Sequence, residues 1–152
     1  CAAPREAVPR DDLIFWVDRC LGAHVVPDAL RAAGIAIRTY ADLYPKDDEV
    51  ADSKWIPDVT ARGWIILTKD EAISRNPAEV SVLRRAKAIY VCFAAKGMTA
   101  PAQVECLLKH WRTIEGVVAS RKPPVIVKVT RTEVRWHDGS EWRPVKHKKR
   151  RK

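Results

Sequence analysis

The chain has 152 residues, 47% hydrophobic and 31% charged, enough for one domain with a real core and too apolar for a disordered segment. Six Lys/Arg and no acid lie in residues 146–152, so most of the net charge of +9 belongs to a tail and the remainder carries +3. No apolar run reaches the ~20 residues that span a bilayer, the four cysteines make no C-x-x-C pair, and no G-x-x-x-x-G-K-S/T loop occurs, which argues against a membrane-spanning helix, a zinc or disulfide framework and a P-loop enzyme.

Residues 1–12 are polar, contain Pro4 and Pro9 and read as a flexible lead-in. They lack a charged region followed by an apolar stretch, so no intact signal peptide is expected. The cysteines, with Cys92 in an apolar strand and Cys106 on a helix, read as small buried residues rather than disulfides, which makes the cytoplasm the expected compartment. Leu13-Ile14-Phe15-Trp16-Val17 is an apolar run stopped by Asp18, the pattern of a buried strand that delivers a carboxylate at its end. After a turn at Gly22, the residues Val25, Val26 and Leu30 with the alanines up to Ala33 predict a short amphipathic helix, with Pro27 in its first turn and Gly34 closing it. Residues 35–40 then read as a second strand, completing a right-handed βαβ unit.

Residues 43–58 are rich in acids, and Trp55, Ile56, Val59 and Ala61 supply a helical stripe. Asp52 fits an N-cap or first-turn position of that helix. Gly63 precedes Trp64-Ile65-Ile66-Leu67, four apolar residues stopped by Thr68-Lys69-Asp70, which predicts a second doubly buried strand ending at an acid. Pro77 opens a helix through Val80, Leu83 and Ala86, and residues 88–93 form another strand. Thr99 caps the longest helix, with Pro101 in its first turn and Val104, Leu107, Leu108, Trp111, Ile114 and Val118 as its apolar stripe. Residues 125–129 are a last core strand that residues 132–136 continue or pair with. Asp138-Gly139 signals a hairpin turn returning through residues 141–145, with Trp136 and Trp142 expected to pack across it. Alternating strands and helices without repeats give an α/β class, three-layered with a mostly parallel sheet. The expected division is a lead-in 1–12, a main domain 13–130, a β-hairpin extension 131–145 and a basic tail 146–152.

Side by side, the two acid-terminated strands would put Asp18 and Asp70 at one carboxyl edge, where open parallel sheets bind ligands. Converging carboxylates need a cation or a shared proton, and Asp52 can join them. Oxygen donors suit Mg2+ or Mn2+, and two such ions ~4 Å apart can activate water and stabilise the leaving oxygen of a phosphodiester. Glu49, Asp58 and Glu79 are candidates for a fourth acid. The four histidines share no metal spacing and read as surface or satisfied residues, and Trp16, Trp55, Trp64 and Trp111 read as core. A phosphotransfer domain of receiver or haloacid-dehalogenase type is disfavoured. Asp18-Arg19-Cys20 lacks the second acid that the dehalogenase pattern requires, and the acids are spread over three elements.

Phe15-Trp16-Val17-Asp18, Asp52-x-x-Trp55-Ile56, the run from Trp64 to Asp70 and Arg75-x-Pro77-x-Glu79, in this order and spacing, resemble the PIN-like domains of VapC-type toxins over roughly residues 13–130. The resemblance implies a PIN-like three-layer α/β/α fold with a mostly parallel central sheet. It also implies a Mg2+-dependent (or Mn2+-dependent) endoribonuclease that hydrolyses RNA and is held inactive by a cognate antitoxin; a homodimer is left open, and no membrane association is expected. Asp18, Asp52 and Asp70 match the catalytic and metal-holding acids, and Thr68 the hydroxyl that orients a carboxylate or a water. Glu79 matches the fourth acid, with Glu49 and Asp58 as competitors. Lys69, Arg75 and Arg19 near the acids, and Lys146, Lys148, Lys149, Arg150 and Arg151 in the tail, are the expected RNA contacts. Arg19 could instead pair with Asp18 and weaken metal binding, so the alternative is a catalytically silent PIN-like module that binds RNA or a protein partner.

Overall fold

The structure, a computed structural model, describes residues 12–22, 24–46, 50, 52–69 and 76–145, with the side chains of Arg19, Asp52 and Ser53 outside that description. Strand β1 (Ile14–Val17) leads through a 3-10 turn (Arg19–Leu21) into α1 (Val25–Ala32), β2 (Ala36–Thr39), α2 (Tyr40–Leu43) and α3 (Asp52–Ala61). There follow β3 (Ile65–Thr68), α4 (Pro77–Arg85), β4 (Ile89–Phe93), α5 (Ala100–Ser120), β5 (Val125–Val129), β6 (Val134–His137) and β7 (Trp142–Pro144). The expected strands and long helices are present, with ends shifted by a residue or so. The short α2 is not among the elements expected from sequence: Asp42 accepts the Thr39 backbone N–H at 2.8 Å, closing a single turn too short for apolar periodicity to register.

The strands form one seven-stranded sheet in the order β2-β1-β3-β4-β5-β6-β7. β1 to β5 are parallel, and β6 and β7 complete the sheet as an antiparallel hairpin. The chain therefore builds outward from β1 in one direction with β2, and in the other with β3, β4 and β5. The reversal falls between β1 and β3, which are paired with Val17 opposite Leu67. The crevice at such a reversal, beyond the carboxyl ends of the strands, is where open α/β sheets take ligands.

Residue parity in the strands decides which layer each side chain joins. Phe15, Val17, Ile65 and Leu67 pack in one core with Leu30 of α1 and Leu107 and Ile114 of α5. Trp16, Ile66, Tyr90 and Ile126 point the other way and pack with Trp55 and Val59 of α3 and Val80 and Leu83 of α4. The result is three layers, α1 and α5 on one face and α2, α3 and α4 on the other. Aromatic rings lie at the centre of both cores: Phe15 and Trp111 have centroids 4.6 Å apart, and Trp16 and Trp55 4.9 Å. α3 ends where Gly63 takes φ +73°, a conformation costly for any residue with a Cβ, and the chain enters β3 at once.

The packing expected between Trp136 and Trp142 does not form. Trp136 stands opposite Arg143 and His137 opposite Trp142, so the two indoles leave the ribbon on opposite faces. Trp136 is covered by the Arg121 guanidinium 3.7 Å from its ring, and Trp142 meets His137 edge-on at 5.1 Å. Among the described residues no helix is long and apolar enough to cross a membrane.

Candidate active site

β1 and β3 end next to each other, and the Asp18 backbone N–H donates to the Leu67 carbonyl at 2.9 Å, which carries the pairing one residue past the strand. Asp18 and Thr68 follow Trp16 and Ile66 by two residues each and so share their face, toward α3 and α4. The Thr68 hydroxyl, 2% exposed as a residue, donates to Asp18 Oδ2 at 3.1 Å. Among the described residues no cation is within ion-pair distance of Asp18, and its Oδ1 receives no hydrogen bond. This carboxylate is thus held from one side and open on the other.

Beside the pair lies a cavity of about 380 Å³. Asp18, Thr68 and Lys69 form its floor at the sheet edge, α3 supplies Trp55 and Ile56, and α4 supplies Glu79 and Val82. The α4 wall starts at Asn76, whose side chain accepts the Ala78 N–H at 3.0 Å, with Pro77 at the first helical position.

Cys20 belongs to this site, although no spacing or periodicity in the sequence points to it. Its Sγ is 3.1 Å from Thr68 Oγ1 and 3.5 Å from Asp18 Oδ2, and it accepts the Lys69 N–H at 3.2 Å. Burial pushes the thiol pKa up, with the Thr68 hydrogen bond acting against that and the neighbouring Asp18 charge adding to it. At neutral pH Cys20 is a protonated thiol that donates into the Asp18–Thr68 pair. A position two residues after Asp18 in a tight 3-10 turn brings it back, and that proximity is the signal that a search for metal spacing passes over.

The other expected site residues separate into three groups. Glu79 lines the cavity with Asp18 and Thr68. Asp58 is engaged elsewhere: it accepts the Tyr44 hydroxyl at 2.6 Å, burial and then this bond raise the tyrosine pKa, and Asp58 does not line the cavity. Asp52 is the first residue of α3, one turn before the cavity-lining Trp55. Its side chain, and that of Arg19, lie outside the described residues, as do Asp70, Arg75, Glu49, Lys146, Lys148, Lys149, Arg150 and Arg151. Asp70 follows the end of β3 by two residues in sequence. Among the described residues no group of three His, Cys, Asp or Glu side chains forms a metal-binding cluster.

The family profile described as PIN like domain matches residues 13–95, the segment from β1 through β4 that builds this edge. VapC45 of Mycobacterium tuberculosis, a candidate ribonuclease, is 44% identical over 67 residues, which are 43% of this chain and 49% of that protein. The chain thus spans about half the length of this relative. No solved structure matches the chain.

Proposed function

Because this chain belongs to the PIN-like domain family, we propose that it is a metal-dependent endoribonuclease, the toxin of a toxin–antitoxin pair, with Asp18, Asp52 and Asp70 as its metal-holding acids. The observation that carries the reading is the Asp18–Thr68 pair at the sheet reversal, open to a cavity that also contains Glu79. The likeness to the candidate ribonuclease VapC45 supports the same activity.

The donor set suits a hard divalent ion. Asp18 has a carboxylate oxygen with no hydrogen bond and no competing cation among the described residues, and its neighbours at the cavity floor include a hydroxyl. Mg2+ or Mn2+, which prefer such oxygens, would be held by Asp18 with Asp70 and Asp52, and Glu79 is the fourth acid. The chemistry such an ion supplies is a water made nucleophilic near neutral pH and stabilised charge on the phosphoryl oxygens.

Thr68 fixes the rotation of the Asp18 carboxylate, so the open oxygen faces a constant direction. Lys69 at the floor, with Arg75 and Arg19 close in sequence, draws the RNA phosphate toward the acids. The apolar rings and chains of Trp55, Ile56 and Val82 narrow the cavity and thin the water around the scissile bond. An antitoxin would close the acidic edge with an arginine or lysine, since a guanidinium forks onto two carboxylate oxygens.

The test is cleavage of single-stranded RNA by the purified chain with Mg2+ or Mn2+ and with chelator, beside Asp18→Asn and Asp70→Asn. The expected result is metal-dependent cleavage that falls by at least roughly 100-fold in each variant, with the fold retained. Unchanged cleavage in Asp18→Asn overturns the assignment. No cleavage together with no metal-induced thermal shift assigns the chain to the catalytically silent modules.

A further inference from the structure

Helix α4 has cavities on both sides. Glu79, Val82 and Leu83 face the catalytic cavity, while Ser81, Arg84 and Arg85 line a separate groove of about 740 Å³ whose far wall is the β6–β7 hairpin, with His137, Gly139 and Trp142. No residue of this groove has a role in the chemistry above.

The groove carries a net positive charge. Arg84 is half-buried with its guanidinium against the hairpin turn, so that a Cβ at Gly139 would stand only 3.1 Å from Nη2. Neither Arg84 nor Arg85 has an ion pair among the described residues, and the one side-chain bond of Arg85 is to Ser81 Oγ at 3.4 Å. The two acids nearby share one guanidinium: Asp138 pairs with Arg143, and Glu141, which also lines the groove, sits 3.2 Å from it, so Arg84 and Arg85 still outweigh the one carboxylate charge left over. Opposite the arginines, the Trp142 indole and the His137 imidazole meet edge-on. Burial and the nearby Arg84 charge lower the His137 pKa, so the ring is neutral at neutral pH.

Unpaired guanidiniums facing aromatic rings match a ligand that has phosphates on one side and π-faces on the other. An acidic peptide would satisfy the arginines but make no use of the rings. From this we infer that the groove between α4 and the β6–β7 hairpin is a second RNA-binding site: a single strand leaving the catalytic cavity crosses α4, places its phosphates on Arg84 and Arg85 and stacks a base against Trp142. The inference rests on the reading of RNA as substrate. α4 with its side chains is about 10–12 Å across, so a strand of several nucleotides is needed to reach both sites.

The experiment measures binding of fluorescein-labelled single-stranded RNA to the full chain in chelator, where no cleavage occurs. Wild type, Arg84→Ala/Arg85→Ala, Trp142→Ala and the control Lys109→Ala on α5 are compared over a range of salt. The double variant is expected to bind roughly ten-fold or more weakly, with the slope of log affinity against log salt reduced by about 1.4, or about 0.7 for each phosphate left without its arginine. Trp142→Ala is expected to weaken binding roughly ten-fold, and Lys109→Ala to leave it unchanged. Unchanged affinity and slope in a folded double variant overturn the inference and leave the nuclease reading standing. An absence of RNA binding by wild type overturns both. Should the variant fail to fold, photo-cross-linking of iodouridine RNA to wild type decides: adducts on residues 137–142 uphold the site, and adducts confined to other segments overturn it. A protein partner whose binding needs Arg84 and Arg85, with RNA binding unaffected, would assign the groove to protein and also overturn it.

Discussion

At the end of β3 a single hydroxyl joins two strands, for Thr68 reaches Asp18 and Cys20 at once. Thr68→Val keeps the shape and deletes the bond, so it should cost about 1 kcal/mol in urea unfolding and lower kcat on RNA more than it changes KM, because the Asp18 carboxylate loses its orientation rather than its charge. Cys20→Ala leaves the Thr68–Asp18 bond in place and should change cleavage by less than about ten-fold, a difference of under ~1.4 kcal/mol in barrier. Single-turnover kinetics on the two variants checks both. Of these three residues, Asp18 and Thr68 were legible in the sequence because an apolar run that stops at a polar residue marks a strand end. Cys20 was not, since its place depends on a three-residue turn folding back, and no periodicity encodes that. Asp58 shows the opposite: an acid in an acidic segment looks placed for the site, yet the fold bonds it to the Tyr44 hydroxyl and leaves it out of the cavity lining.

Among the elements, α5 carries the largest share of one core, and Ile114, 0% exposed, lies against the sheet. Ile114→Ala should destabilise the chain by about 2–5 kcal/mol, read from the urea midpoint at unchanged m. The hairpin is sensitive to acid instead. Asp138 accepts the backbone N–H of Glu141, pairs with Arg143 and accepts from Ser140, and these contacts hold its carboxyl well below the ordinary range. Its folded pKa is lower than its unfolded one, so the stabilisation is present above the unfolded value of about 4 and is lost as pH falls below it. Thermal unfolding of Asp138→Asn should therefore change less between pH 6 and pH 3 than that of wild type, which differential scanning calorimetry can follow. The long periodic α5, with its Thr99 cap accepting the Ala102 N–H at 3.3 Å, was plain from sequence, as was the Asp-Gly turn. The pairing partner of each hairpin residue was not: one step of register decides which face an indole takes, and nothing in the order of residues determines that step before the strands meet.

For the molecule as a whole, charge and connectivity are the governing properties. Removing residues 146–152 takes away six of the nine net positive charges, and RNA binding by the shortened chain should be weaker and distinctly less salt-dependent, without a change in which bonds are cut. Filter binding at two salt concentrations, beside a cleavage map, measures both. Connectivity has a further effect through the reversal of strand order between β1 and β3. Asp18 and Thr68 are 50 residues apart in the chain, yet no strand stands between theirs in the sheet. A polypeptide severed between α2 and α3 would leave Asp18 on one piece and Thr68 on the other, and neither piece alone could assemble the Asp18–Thr68 edge. Two halves that complete the Asp18–Thr68 edge only on meeting are what this seam makes available, and the nuclease activity proposed above would then depend on the encounter of the chain's own fragments.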